Sequence, residues 1–174
     1  LFMAINLYHI TRILLERRPV KFAPDEQRLY ELAFGNFAPR DFLKLLKLGE
    51  WKTAGPGEQV LSQGEAITQI IVPISGSVAA GQAGRKVATL GAGELIGAGI
   101  ALSGQSSAFD AKFVEEGRYM CWLKPDIDRF LDRNPGLTRS FNDVVNHYLV
   151  AQINKLALCL TGGEDAGELQ PART

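Results

Sequence analysis

Few residues of this chain are suited to metal or nucleophilic chemistry. There are two histidines, His9 and His147, and two cysteines, Cys121 and Cys159. A zinc site draws three or four ligands from such residues, and a Ser-His-Asp hydrolase needs a histidine placed beside its serine. His9 has no evident partner, and His147 reads as a surface or interface residue of a helix. No His-x-His ligand set of the cupin kind occurs. Two cysteines do not make a disulfide scaffold, and nothing in sequence near Cys121 lowers its thiol pKa. The acidic pair Glu115-Glu116 precedes Gly117 and reads as a hairpin tip, since neighbours in a strand point to opposite faces. No enzyme activity, metal or cofactor is expected.

Charge narrows the partners. Lys plus Arg and Asp plus Glu number 19 each, so there is no basic surplus for nucleic acid. No apolar run reaches the ~18 residues of a membrane span, and no signal-peptide pattern is present. The chain starts at Leu1, which suggests a fragment. Eleven of the first fifteen residues are apolar, and Glu16-Arg17-Arg18-Pro19 follows. Segment 1–22 reads either as a juxtamembrane helix leaving a bilayer on its cytoplasmic side or as an amphipathic helix packed on protein.

The remaining elements follow from periodicity and breakers. Asp25–Phe34 puts Leu29, Leu32 and Ala33 on one helical face, with Pro24 and Asp25 as start signals. Pro39–Leu48 repeats the pattern with Phe42, Leu45 and Leu46. Thirteen of eighteen glycines lie between Gly49 and Gly117, among short alternating runs that read as strands. After Pro125, the stripe Ile127, Phe130, Leu131 marks a helix, Pro135-Gly136 breaks it, and a long helix covers about 137–160. Strands segregated from helices predict an α+β fold with an antiparallel β-roll, a double-stranded jelly roll. The domain is placed at 23–160, with a disordered Gly-, Glu- and Pro-rich tail at 161–174.

Within the β segment, Gly57-Glu58-Gln59-Val60-Leu61-Ser62-Gln63-Gly64 precedes Ile70-Ile71-Val72-Pro73-Ile74 and Ser75-Gly76-Ser77-Val78. A strand at 87–90 leads to Gly91-Ala92-Gly93-Glu94-Leu95-Ile96-Gly97. This spacing resembles the cyclic nucleotide-binding domain family over roughly residues 40–160. Ile127 to Leu137 is similar to that family's junction between its last two helices. A narrower resemblance is to the Popeye domain, carried by Arg18-Pro19-Val20-Lys21-Phe22, Leu29-Tyr30, Phe34 and Arg118-Tyr119-Met120-Cys121-Trp122. It implies an atypical cAMP pocket and membrane helices just upstream.

The resemblance places a phosphate cassette at Gly97, Ala98, Gly99 and Ile100. Ala98 stands where the family's ribose-binding Glu belongs, and no Arg occurs near Ser106-Ser107-Ala108-Phe109. The acidic Popeye positions fall on Gly97 and Ile100. Each lost charge-assisted partner is worth roughly 1.5–3 kcal/mol. What remains is the backbone amides of 97–100, a possible anion nest, with the hydroxyls of Ser103, Ser106 and Ser107. Val87 and Leu95 are the expected base and lid contacts.

Other charges of the β segment do not replace that Arg. Lys112 falls on the outer face of a strand whose Phe109, Ala111 and Phe113 point inward, and Arg85-Lys86 sits at a hairpin tip. Trp122 and Cys121 are expected in the core, and Trp51 at the mouth of the roll. The long helix carries a seam at Phe141, Val145, Leu149, Ile153 and Leu156, which can pack on the roll near its start and on a second copy further along; it is read as a homodimer contact and, by the resemblance, as the lid of the family's pocket, the alternative being packing on its own core alone. The expected function is a regulatory, cAMP-type sensor at the cytoplasmic face of a membrane. The alternative is a degenerate domain serving as a dimerisation scaffold. A transcription factor of the catabolite activator type is disfavoured, because no helix-turn-helix follows the long helix.

Overall fold

The computed structural model describes residues 20–99 and 104–161, with side chains to residue 154. Residues 20–22, the described part of the expected juxtamembrane helix, are not helical. Residues 1–19, the loop 100–103 and the tail 162–174 lie outside the described residues, and so do the expectations placed on them.

Helix α1 (Pro24–Leu29) starts where Pro24 fixes the first turn and the Ala23 N–H donates to Glu26 Oε2 at 2.8 Å. The helical path then widens into a π-helical turn, Tyr30–Phe34, so the single helix expected over Asp25–Phe34 is in fact two segments. Helix α2 (Pro39–Leu46) buries Phe42, Leu45 and Leu46. It ends two residues short of the expected Leu48, in a tight turn where Leu48 N–H donates to Leu45 O. Phe22, Tyr30, Phe34, Phe37 and Phe42 stack ring on ring, with centroids 5.1–5.7 Å apart.

Seven strands follow: β1 (Glu50–Ala54), β2 (Gln59–Leu61), β3 (Gln69–Pro73), β4 (Val78–Gln82), β5 (Arg85–Leu90), β6 (Asp110–Phe113) and β7 (Gly117–Leu123). They form two antiparallel sheets, ordered β1-β7-β3 and β2-β6-β4-β5. This is the α+β roll that the glycine spacing predicted. Strand β5 starts at Arg85 rather than at the expected Val87 because its turn is only two residues long. Ala83 (φ 50°) and Gly84 (φ 79°) give that turn the positive φ pair of a tight hairpin. Gly76 (φ 79°) is required twice over: a Cβ there would lie 2.8 Å from Gly117 Cα.

Helix α3 (Lys124–Arg133) and helix α4 (Pro135–Thr161) close the fold. Among the described residues, no helix is long and apolar enough to cross a membrane. The first half of α4 buries Phe141, Val144 and Val145 in the common core, while Val150 and Ile153 are exposed. This corrects the expected dimer seam. Phe141 and Val145 cannot meet a second copy because this chain's own core already covers them. Ile153 remains on the open stretch, Leu149 faces Gly99 of the roll, and the Leu156 side chain is outside the described residues.

Candidate ligand-binding site

One cavity of about 340 Å³ opens between the second sheet and α4. Its floor is the β4–β5 hairpin, through Ala80, Gln82, Val87, Ala88 and Leu90. One wall is the loop after β5, through Leu95, Ile96, Gly97 and Gly99, and another is Ala108 and Phe109, just before β6. Tyr148, Leu149 and Gln152 of α4 complete it. Positions 148 and 152 are one helical turn apart, so they share a face.

The loop is pinned from below. Ile71 and Ile96 exchange two backbone hydrogen bonds, at 3.0 and 2.8 Å, and Gly93 N–H donates to Pro73 O at 2.8 Å. Gly97 turns the chain with φ 86°, and a Cβ on it would come 3.0 Å from Gln69 O. A Cβ on Gly99 would come 2.9 Å from Leu149 Cδ2. Helix α4 therefore rests directly on the loop that the sequence singled out as a phosphate cassette.

Of the expected site residues, Gly97, Gly99, Leu95 and Val87 line the cavity. Ala98 does not: it is fully buried in the core. Ile100 lies outside the described residues. The two serines do not reach the cavity either. Ser106 is exposed and pairs with Ala66. Ser107 Oγ is held by the backbone of Phe109, accepting its N–H at 3.3 Å and donating to its carbonyl at 2.6 Å. That closed turn is a local alternative open to any serine, and it leaves no hydroxyl for a ligand. Tyr148, Gln152 and Gln82 were missed. The helical repeat showed that 148 and 152 share a face, but not which face meets the roll.

The electrostatics are one-sided. None of the lining residues is cationic or anionic at neutral pH. Lys112 is exposed on the outer face of β6, and Arg85 and Lys86 lie at the exposed hairpin end. Arg118 is engaged elsewhere, bonded to Asp25 at 2.5 Å and stacked 5.3 Å over the Trp51 ring. Burial pushes the Tyr148 phenol well above its ordinary pKa, and the Glu94 carboxylate adds to the shift. The phenol is therefore a neutral donor in the cavity wall. Burial likewise raises the Cys121 thiol, whose Sγ lies 3.2 Å from Gln69 Oε1, so it is poorly suited to nucleophilic chemistry.

These shifts carry a pH signature. Tyr148, Tyr119 and Cys121 all hold their protons more tightly when folded. Their contribution is fully present below the unfolded values, about 8.5 for Cys and 10 for Tyr, and is lost as pH rises through the raised folded ones. Urea unfolding is expected to show stability falling from pH 9 to 11, with a shallower fall in Tyr148→Phe. A flat profile across that range would contradict the burial.

The model of the family described as the cyclic nucleotide-binding domain matches residues 51–134. A search of curated protein sequences returns no match. Solved structures share the fold. A cyclic nucleotide-binding domain from Methylobacillus flagellatus KT superposes with a TM-score of 0.71 at 17% identity, covering 83% of this chain and 86% of that one. The Thermus thermophilus catabolite activator protein gives 0.60 at 21%, over 77% of this chain and 62% of its own. A protein from Ruegeria pomeroyi gives 0.60 at 20%, over 76% of this chain and 63% of its own. The chain thus spans less than two thirds of these last two. Residues 51–134, with their antiparallel sheets and the glycine-turned loop after β5, thus match the cyclic nucleotide-binding domain family.

Proposed function

We propose that this domain is a ligand-sensing regulatory module in which α4 reports whether the cavity is filled. The observation that carries this is the shared wall. Tyr148, Leu149 and Gln152 of α4 line the same cavity as Gly97 and Gly99 of the loop and the β4–β5 hairpin. A molecule entering there must touch the helix. Signalling then requires only that the ligand bind one helix position more tightly than another. No catalytic step is involved.

The ligand implied by the family is cAMP, held by backbone amides at Gly97 to Gly99 without a ribose carboxylate or a phosphate arginine. Its binding is therefore weak, about a hundredfold or more below that of a pocket with both partners. The Popeye-type assignment, and with it attachment to a membrane through an upstream segment, rests on the motifs at 18–22 and 118–122. A homodimer through the open stretch of α4 is supported by the exposed Val150 and Ile153.

The second reading is a non-binding domain kept as a dimerisation scaffold, and the uncharged lining favours it. Thermal unfolding with cAMP or cGMP at millimolar concentration separates the two. Ligand at 100 times Kd adds about 2.7 kcal/mol of stability, a shift of several degrees. A shift that is lost when α4 is displaced supports the sensor. No shift with any small molecule that fits the cavity supports the scaffold.

A further inference from the structure

Resting on the sensor reading, we infer that this cavity selects an uncharged, largely apolar small molecule with one polar edge, in preference to a cyclic phosphate. Two observations carry this. First, Val87, Leu90, Leu95, Phe109 and Leu149 give the cavity hydrocarbon walls. Second, the polar side chains facing it are all neutral: Gln82, Gln152 and the Tyr148 phenol, which stays protonated. A phosphate monoanion taken into such a space exchanges its hydration for few amides and no cation, an unfavourable transfer. A neutral ring system loses little hydration and gains the apolar contact. Tyr148 and the two glutamines, set among hydrocarbon walls, suit a hydroxyl or carbonyl substituent on that ring.

A matched pair tests this: 1-naphthol and 1-naphthyl phosphate, which share the ring body and differ in charge. Binding to the 174-residue chain is followed by calorimetry and thermal shift, with adenosine and cAMP as a second neutral and anionic pair. The expected result is at least tenfold tighter binding of 1-naphthol than of its phosphate. Two variants place the site. Val87→Trp, at a position 60% exposed, fills the cavity without disturbing the core and should abolish 1-naphthol binding. Gln82→Arg, on the exposed end of β4, should raise the affinity for 1-naphthyl phosphate at least fivefold relative to that for 1-naphthol. Equal or tighter binding of the phosphate by the unaltered chain overturns the neutral-ligand inference and leaves the sensor reading standing. Binding of 1-naphthol that survives Val87→Trp overturns the site. Failure of all four compounds to bind the folded chain overturns both readings.

Discussion

Val145→Asp is expected to destabilise the domain by about 3–5 kcal/mol, because it places an unpaired carboxylate in a dry core. Val145 is 0% exposed and belongs to the same buried cluster as Phe141, Trp122 and Ile71. The loss should centre on α4, since Phe141, Val144 and Val145 are what hold that helix to the roll. A variant that stays folded should therefore lose ligand-induced stabilisation, as the cavity has lost its helical wall. The paired control is Ile153→Asp, two turns further along and 64% exposed. It should change monomer stability by no more than about 0.5 kcal/mol. If the open stretch joins two copies, Ile153→Asp lowers the mass seen by analytical ultracentrifugation. Equal costs for the two substitutions would contradict the division of α4 into an anchored half and an open half.

Trp122→Ala is expected to be as severe by a different route. The indole is 1% exposed on β7, packs edge-on against Phe34 at 5.7 Å, and donates Nε1–H to Leu45 O at 2.8 Å. Truncation removes the largest fully buried side chain and leaves a cavity, for about 3–5 kcal/mol. It also leaves the Leu45 carbonyl without its indole donor, for about 1 kcal/mol more. For a chain of this length the melting temperature should fall on the order of 10–15 °C. Trp51→Ala is the contrast. That ring is half-buried on β1 beneath Arg118, and its loss should cost about 1 kcal/mol. Calorimetric melting of both variants checks the ranking.

The legible and illegible parts of this sequence divide along a physical line. Gly57, Gly64 and Gly76 mark reversals, and all three have φ near 80°. A left-handed backbone conformation is a local demand, and glycine answers it locally. The alternation around Ala111 and Phe113 is likewise local, and both are buried. Ser107 was misassigned because a hydroxyl near a loop offers the same type to a ligand and to its own backbone; only the 2.6 Å contact with Phe109 O decides between them. The boundary within α4 between its covered and open stretches was hidden for another reason. Phe141, Val145, Leu149 and Ile153 share one apolar period, and the sequence carries no mark of where the roll stops covering it. Tyr148 and Gln152 carry no local mark of a ligand site, so their role emerged only from the packing of α4 on Gly99. The missing cassette Glu and Arg were readable in sequence. That no described lining residue brings a charge to the cavity was not.

The central claim is that ligand in the cavity is felt by α4. Native-state hydrogen exchange tests it most directly, because backbone amides report opening of each element separately. The chain would be exchanged alone and with saturating 1-naphthol or cAMP, and β4–β5, the loop after β5 and α4 read in parallel. The account predicts changed protection at residues 145–154 of α4 together with 80–90 and 95–99. Protection that changes at the hairpin and loop while α4 stays as it was would contradict it.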